Sequence, residues 1–122
     1  MKVEIYNPVD EKGSCVGRSI SKSLNKNYFV VKNDLIELSK NLNIDDYREI
    51  EVFESYLHQN NFIDLDIKNI LVKDLKLDKG NYIVFCHKDD WYHMISIIDN
   101  TIYDKSDKSL ECAVLKVYKK DK

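Results

Sequence analysis

Glycine, proline and cysteine are scarce in this chain. The three glycines, Gly13, Gly17 and Gly80, are too far apart to form a glycine-rich phosphate loop. Three cysteines are an odd number and lack the spacing of a disulfide framework, so we do not expect disulfides to organise the fold. No apolar run is long enough to span a bilayer, and no signal-peptide pattern follows Met1. We therefore expect a soluble, cytoplasmic protein.

The charge of the chain is nearly balanced. Its 122 residues have a formal net charge of −2, and Arg18 and Arg48 are the only arginines among mostly lysine cations. Proteins that bind nucleic acid or anionic membranes usually present a clustered basic face. We therefore expect neither as a partner. A chain of this length forms one domain, here residues 1–122, and can bury a core without disulfides or metals.

The first two thirds of the chain have a mostly helical period. A short extended piece around residues 3–6 comes first, followed by a turn at Asn7-Pro8. Three segments then place apolar residues at helical spacing: residues 15–24 with Ser14 as N-cap, residues 35–42 with Asn33 or Asp34 as cap, and a segment from Asp45 or Asp46 to residues 60–61. Residues 62–77 are ambiguous, with short apolar pairs that favour a helical turn and connecting segments.

After the turn at Lys79-Gly80 the pattern becomes that of β-strands. The predicted strands are residues 82–86, apolar on both faces, residues 92–98, residues 101–103 and residues 113–118. Asp99-Asn100 is a plausible two-residue hairpin turn, and residues 119–122 read as a solvated tail. Helices first and strands second predict an α+β fold, in which N-terminal helices pack on a C-terminal antiparallel sheet.

Cys15 and His93 are the residues that suggest chemistry. Cys15 stands at the start of the first predicted helix, where backbone N–H groups and the helix dipole lower the pKa of a thiol. His93 opens an apolar strand and could act as the base that activates this thiol. A thiol and an imidazole placed in this way predict a thiol hydrolase.

The hairpin predicts a third member of the site. If Asp99-Asn100 is the turn, Ile98 pairs with Thr101, and counting outward sets His93 opposite Ser106. Asp104 is then a diagonal neighbour of His93 on the same face, within reach of an orienting hydrogen bond.

An attacked carbonyl also needs donors for its oxyanion. We expect these to be the backbone N–H of Cys15 and one upstream side-chain amide. Asn7 is the nearest amide-bearing residue before Cys15 and is therefore the predicted oxyanion donor.

Three other side chains near these positions allow two interpretations each. Arg18 could bind a substrate carboxylate, but pairing with an acid on the helix surface is the simpler expectation. Trp91 and Tyr92 could line a cleft or could cover the sheet.

Metal binding is a weaker alternative. The atoms of Cys86, His87, His93 and Cys112 are compatible with zinc. Cys86 and His87 are neighbours on a predicted strand and point to opposite faces, and no Cys-x-x-Cys or His-x-x-x-His spacing occurs. We therefore expect no metal and no cofactor.

Several short motifs together resemble a known family, the small papain-like cysteine peptidases of bacteriophages and Firmicutes. The motifs are Cys15-Val16-Gly17-Arg18-Ser19-Ile20, Tyr56-Leu57 through Phe62, Gly80-Asn81-Tyr82, His93 to Ile98, and Tyr103-Asp104. The resemblance covers most of the chain. It implies a papain-like fold with Cys15 as nucleophile, His93 as base and Asp104 as the residue that orients the base.

The chain departs from that family at positions around the histidine. Tyr92 stands where the family has glycine, Asn100 replaces the usual turn glycine, and Lys105-Ser106 replaces a common Thr-Trp pair. Tyr92 could narrow or occlude the cleft.

These observations support two functional hypotheses. The first is a peptidase or isopeptidase that cleaves a peptide or protein substrate through a Cys15 thioester. The second is a catalytically idle papain-like module that binds a host protein, such as a phage-encoded inhibitor of a host defence or regulatory protein. The altered flanks of His93, the small size and the lack of an obvious substrate-binding insert motivate the second.

Overall fold

The computed structural model describes residues 1–121 and has the predicted α+β class. The helices in this range are α1 Cys15–Leu24, α2 Tyr28–Asn41 and α3 Ile50–Gln59, with short 3₁₀ turns at Val72–Asp74 and Lys108–Glu111. The strands are β1 Lys2–Ile5, β2 Phe62–Leu65, β3 Asn81–Lys88, β4 Trp91–Ile98, β5 Thr101–Asp104 and β6 Ala113–Lys120. Within residues 1–121 no helix has the length and apolar character needed to cross a membrane.

The six strands form one mixed sheet in the order β1-β5-β4-β3-β6-β2. The strands from β2 to β6 pair antiparallel, but β1 joins the outer side of β5 in parallel, with Lys2 opposite Thr101. The prediction of a purely antiparallel sheet is therefore wrong at this edge. The N-terminal piece is extended as expected, but its partner lies about a hundred residues away along the chain, and no local pattern reports such a pairing.

Both faces of the central strands are buried. The three helices cover one face and pack around Phe53, Ile83 and Met94. The connecting segments between β2 and β3 and before β6 cover the other face, and Val72 and Leu75 reach the core there. This double cover explains why residues 82–86 are apolar on both sides, as a central strand requires.

Two of the predicted helix starts are wrong. α2 begins at Tyr28, well before Asn33, because the side chain of Asn27 accepts a hydrogen bond of 2.9 Å from the backbone N–H of Phe29 and caps the helix. Phe29 is exposed, so the first turn of α2 lacks the apolar period that marks the rest. α3 begins at Ile50, because Asp46 accepts hydrogen bonds from Arg48 and holds residues 46–48 in a turn instead of starting a helix.

The β4–β5 hairpin has the predicted turn and register. Asp99 and Asn100 have φ values of 47° and 67°, and Ile98 lies opposite Thr101. Two consecutive left-handed residues are the geometry of a two-residue hairpin turn whose twist matches that of the strands, and Asn and Asp tolerate it.

The end of the chain is not the solvated tail that was predicted. Lys119 and Lys120 belong to β6, where they pair with β3 and β2. Both lysines pair with β2, which lies in residues 62–77, the segment whose sequence pattern is ambiguous. Lys122, the last residue of the predicted tail, lies outside the described residues.

Candidate active site

The thiol of Cys15 lies where α1 meets the edge of β4. β5 pairs only with Ser96, Ile97 and Ile98 of β4, and α1 packs mainly against β4, with some contact to β5. The hydroxyl of Ser19 donates to the carbonyl of Met94 at 2.8 Å, and the hydroxyls of Ser23 and Ser96 are 2.7 Å apart. Cys15, Ser19 and Ser23 thus form a stripe at four-residue spacing that fixes the start of α1 beside His93.

His93 and Asp104 make the predicted contact. The Nε2 of His93 donates to Oδ2 of Asp104 at 2.8 Å, and the two residues are 4% and 1% exposed. The further prediction that Ser106 lies opposite His93 is wrong, because β5 ends at Asp104 and the chain leaves the sheet there. The carboxylate reaches the imidazole from the last residue of the strand.

The Cys15 thiol and the imidazole of His93 shift each other's pKa, which indicates that the two groups lie close together. Asp104 occupies Nε2, which leaves Nδ1 for the thiol. Burial raises the pKa of the thiol, but the hydrogen bond and charge of His93, the backbone N–H of Met94 and the charge of Arg18 outweigh burial and hold this pKa below its ordinary value.

The imidazole shifts in the complementary direction. Burial lowers the pKa of His93, but the hydrogen bonds and charges of Asp104 and Cys15 outweigh it, so this pKa lies above its ordinary value. A lowered thiol pKa and a raised imidazole pKa favour a thiolate–imidazolium pair.

Arg18 lies inside the protein and holds the Asp104 carboxylate. It is 2% exposed, and its Nη2 donates to Oδ1 of Asp104 at 3.0 Å. The same Oδ1 accepts the backbone N–H of Lys105 at 2.8 Å. Arg18 therefore pairs with an acid as expected, but the prediction of a pair on the helix surface is wrong, because the acid comes from β5 and the pair is buried.

Ser14 has the N-cap position of α1 but does not cap the helix with its side chain. Its hydroxyl instead accepts a hydrogen bond of 2.9 Å from Nη1 of Arg18. The first N–H groups of a helix have no intrahelical partner, and here Ser14 does not satisfy them. Free N–H groups at Cys15 are what an oxyanion site next to the thiol requires.

A surface cleft of about 470 Å³ opens beside Cys15. Its wall contains four apolar residues from different elements and three charged residues from the turn before α3, and these are Val16, Ile50, Phe85 and Tyr92, with Asp46, Arg48 and Glu49. Asn7 is exposed in the loop after β1 and is not among the lining residues, so the structure gives its predicted oxyanion role no support.

The two aromatic residues before His93 have different positions. Tyr92 is 58% exposed, lines the cleft and stacks on Phe85 with ring centroids 6.0 Å apart. Trp91 stacks on the imidazole of His93, with centroids 4.5 Å apart and planes at 20°. Tyr92 therefore forms part of the cleft wall, whereas Trp91 covers the predicted base.

The two remaining cysteines lie away from the cleft. Cys86 and Cys112 are free and buried, and burial raises the pKa of each thiol. Cys86 lies in the core on the face that the connecting segments cover, whereas His87 stacks against Tyr92. Among the described residues, no group of three or more His, Cys, Asp or Glu side chains could hold a metal ion.

The sequence analysis missed two features of the site, the position of Arg48 in the cleft wall and the stripe formed by Cys15, Ser19 and Ser23. The spacing of Cys15, Ser19 and Ser23 was a usable signal, because small residues four apart mark a face that packs closely on a neighbour. Arg48 carried no comparable signal, since its place in the cleft depends on the turn before α3. Neither protein-family models, nor curated proteins, nor solved structures give a match to this chain.

Proposed function

We propose that the protein is a papain-like thiol hydrolase, a peptidase or isopeptidase that acts through a Cys15 thioester. The observation that carries the proposal is the buried hydrogen bond of 2.8 Å between His93 and Asp104, with Cys15 at the start of the helix that packs on the same strand. A nucleophile, a base and a carboxylate that orients the base are the three parts that thiol hydrolysis uses. A helix start that carries the thiol, packed on a strand that carries the imidazole, supports the papain-like part of the proposal.

Each part has a defined task in the proposed reaction. The Nδ1 of His93 accepts the thiol proton, and the sulfur of Cys15 forms a bond to the carbonyl carbon while an electron pair moves to the oxygen. When the tetrahedral intermediate collapses, the C–N bond breaks and His93 returns the proton to the leaving amine. Water then attacks the thioester with His93 as base, which releases the acid and restores the thiol. Asp104 keeps the proton of the imidazole on Nε2 throughout.

The cleft supports a peptide or protein substrate. Its apolar wall of Val16, Ile50, Phe85 and Tyr92 suits a hydrophobic side chain beside the attacked carbonyl. The proposal includes a cytoplasmic location, because a reducing compartment keeps a catalytic thiol reduced and the three cysteines of the chain are free.

The pH dependence of Cys15 alkylation tests the proposal. Because the folded pKa of this thiol is lowered, thiolate should persist as the pH falls, and the rate with iodoacetamide should stay high well below the ordinary thiol pKa of about 8.5. His93→Ala removes the main group that lowers the pKa, so its titration should move up towards the ordinary value. Mass spectrometry of the modified peptide separates Cys15 from Cys86 and Cys112.

His87→Ala is the matched control for this experiment. His87 belongs to the neighbouring strand and stacks on Tyr92, so its loss should leave the titration of Cys15 in place. An ordinary thiol titration in the wild type, unchanged by His93→Ala, would overturn the proposal. In acyl-hydrolysis assays, Cys15→Ala should abolish turnover.

Exposed aromatic residues around His93 favour the second candidate, an idle module that binds a host protein. Tyr92 and Trp91 are 58% and 39% exposed, and large exposed aromatic side chains are typical anchors of protein interfaces. This function predicts a stoichiometric partner that binds wild type and Cys15→Ala equally and is lost with Tyr92→Ala. Acyl hydrolysis that depends on Cys15 would decide against it.

A further inference from the structure

We infer that Arg48 is a catalytic residue of the proposed thiol hydrolase, whose guanidinium donates, together with the backbone N–H of Cys15, to the oxyanion formed at the attacked carbonyl. The inference rests on the proposed function and adds a residue to it. It gives Arg48 the role for which the sequence alone offered Asn7.

Asp46 fixes the orientation of the guanidinium. Its Oδ1 accepts from Nε of Arg48 at 3.0 Å and its Oδ2 accepts from Nη2 at 3.0 Å, while the backbone N–H of Arg48 also donates to Oδ1 at 2.9 Å. A planar guanidinium held along one edge presents its remaining N–H groups in a fixed direction. Nη1 is the nitrogen that Asp46 does not use.

Gly13 shows where Nη1 lies. A Cβ added to Gly13 would stand 2.1 Å from Nη1 of Arg48, so the guanidinium lies directly against the backbone of this residue. Gly13 has φ +70°, a conformation that favours glycine, and it precedes Cys15 by two residues. The free edge of Arg48 therefore lies at the loop that leads into the thiol, on the cleft wall that both residues share.

The charges in the cleft agree with this role. The hydrogen bonds and charge of Asp46 raise the pKa of Arg48, and Tyr47 and Cys15 raise it further. Asp46 neutralises the edge that faces away from Nη1. The Nη1 edge is left as a positive donor against Gly13, in the cleft that Cys15 also lines, where negative charge develops on the substrate oxygen.

A comparison of two reactions at the same sulfur isolates the oxyanion. With p-nitrophenyl acetate, the Cys15 sulfur forms a bond to the carbonyl carbon, an electron pair moves to oxygen, and the intermediate then expels p-nitrophenolate with its electron pair. With iodoacetamide, the sulfur bonds to the methylene carbon as iodide leaves, and no oxyanion forms. Both reactions consume the same thiolate, so the ratio of their rates cancels any change in thiolate fraction.

The test measures this ratio in Arg48 variants. Arg48→Gln should lower the ratio of acylation to alkylation by about 10², in the range seen when an oxyanion donor is removed. Arg48→Lys keeps the charge but loses the fork that Asp46 holds, so its ratio should fall less. Lys12→Gln is the control, because it removes an exposed positive charge from the loop of Gly13, next to the cleft, without changing a lining residue. The burst of p-nitrophenolate, corrected with Cys15→Ala, gives the acylation rate.

The outcomes separate this inference from the proposed function. A Cys15 that titrates low in the wild type but keeps its rate ratio in Arg48→Gln would overturn the role of Arg48 and leave the hydrolase proposal intact. An equal fall in Lys12→Gln would likewise overturn it, since the effect would then belong to the general positive charge around the cleft. A wild-type Cys15 with an ordinary titration would overturn both.

Discussion

Arg18→Met should lower the free energy of unfolding by about 3–5 kcal/mol, the usual cost of breaking a buried ion pair from one side. Arg18 and Asp104 are 2% and 1% exposed and lie 3.0 Å apart. Methionine fills much of the space of the arginine stem, so the loss comes mainly from a buried carboxylate that loses its guanidinium and keeps only the His93 imidazole and the Lys105 N–H. Urea unfolding, monitored by circular dichroism, measures the change.

A pair on the surface provides the control for this loss. Lys73 and Glu111 form an ion pair of 3.2 Å in which both side chains are about half exposed. Water screens such a pair, so Lys73→Met should change the free energy of unfolding by less than about 1 kcal/mol. Equal losses for the two variants would contradict the assignment of Arg18 to the core.

Asp104→Asn in the Arg18→Met background tests the cause. The double variant no longer buries a carboxylate that lacks its guanidinium, so its loss of stability should be smaller than the sum of the two single losses. Strict additivity would show that the two side chains do not depend on one another, against the 3.0 Å contact.

Local signals account for the parts of the fold that the sequence predicted. α1 has the predicted bounds, since its apolar residues recur at helical spacing and Asn25, left-handed at φ 54°, ends it. The β4–β5 turn is equally local, because two residues that tolerate left-handed backbone stand between two apolar runs. From that turn alone the register follows, and with it the contact between His93 and Asp104.

The errors arise where distant parts of the chain decide the structure. β1 lies at the edge of the sheet and pairs in parallel with β5. This pairing joins two distant segments, and nothing within residues 2–5 indicates it. The hydroxyl of Ser14 binds the guanidinium of Arg18 instead of capping α1. The guanidinium lies in the core because it pairs with Asp104, which is distant in the sequence. Arg48 reaches the cleft through a turn held by its own ion pair with Asp46, in a segment whose apolar period suggested a helix.

Asp104→Asn should slow acylation of Cys15 by p-nitrophenyl acetate by about 10²–10⁴, the contribution expected of general base catalysis. Both hydrogen bonds to Oδ1 come from donors, the Arg18 guanidinium and the backbone N–H of Lys105. Asparagine must therefore keep its oxygen there and turn its NH₂ group towards His93. The amide then donates to Nε2, which moves the imidazole proton to Nδ1, and an Nδ1 that carries a proton cannot take one from Cys15.

The pH dependence distinguishes this tautomer effect from a disordered site. Above about pH 8.5 a thiol ionises without a base, so alkylation of Cys15 by iodoacetamide should approach the wild-type rate in Asp104→Asn as the pH rises. A site that had lost its structure would stay different at every pH. Asp107→Asn is the matched control, since Asp107 is exposed beyond the end of β5 and should leave both rates unchanged. Acylation that survives Asp104→Asn would mean that His93 keeps its tautomer without the carboxylate, and the role of Asp104 would then reduce to its buried pair with Arg18.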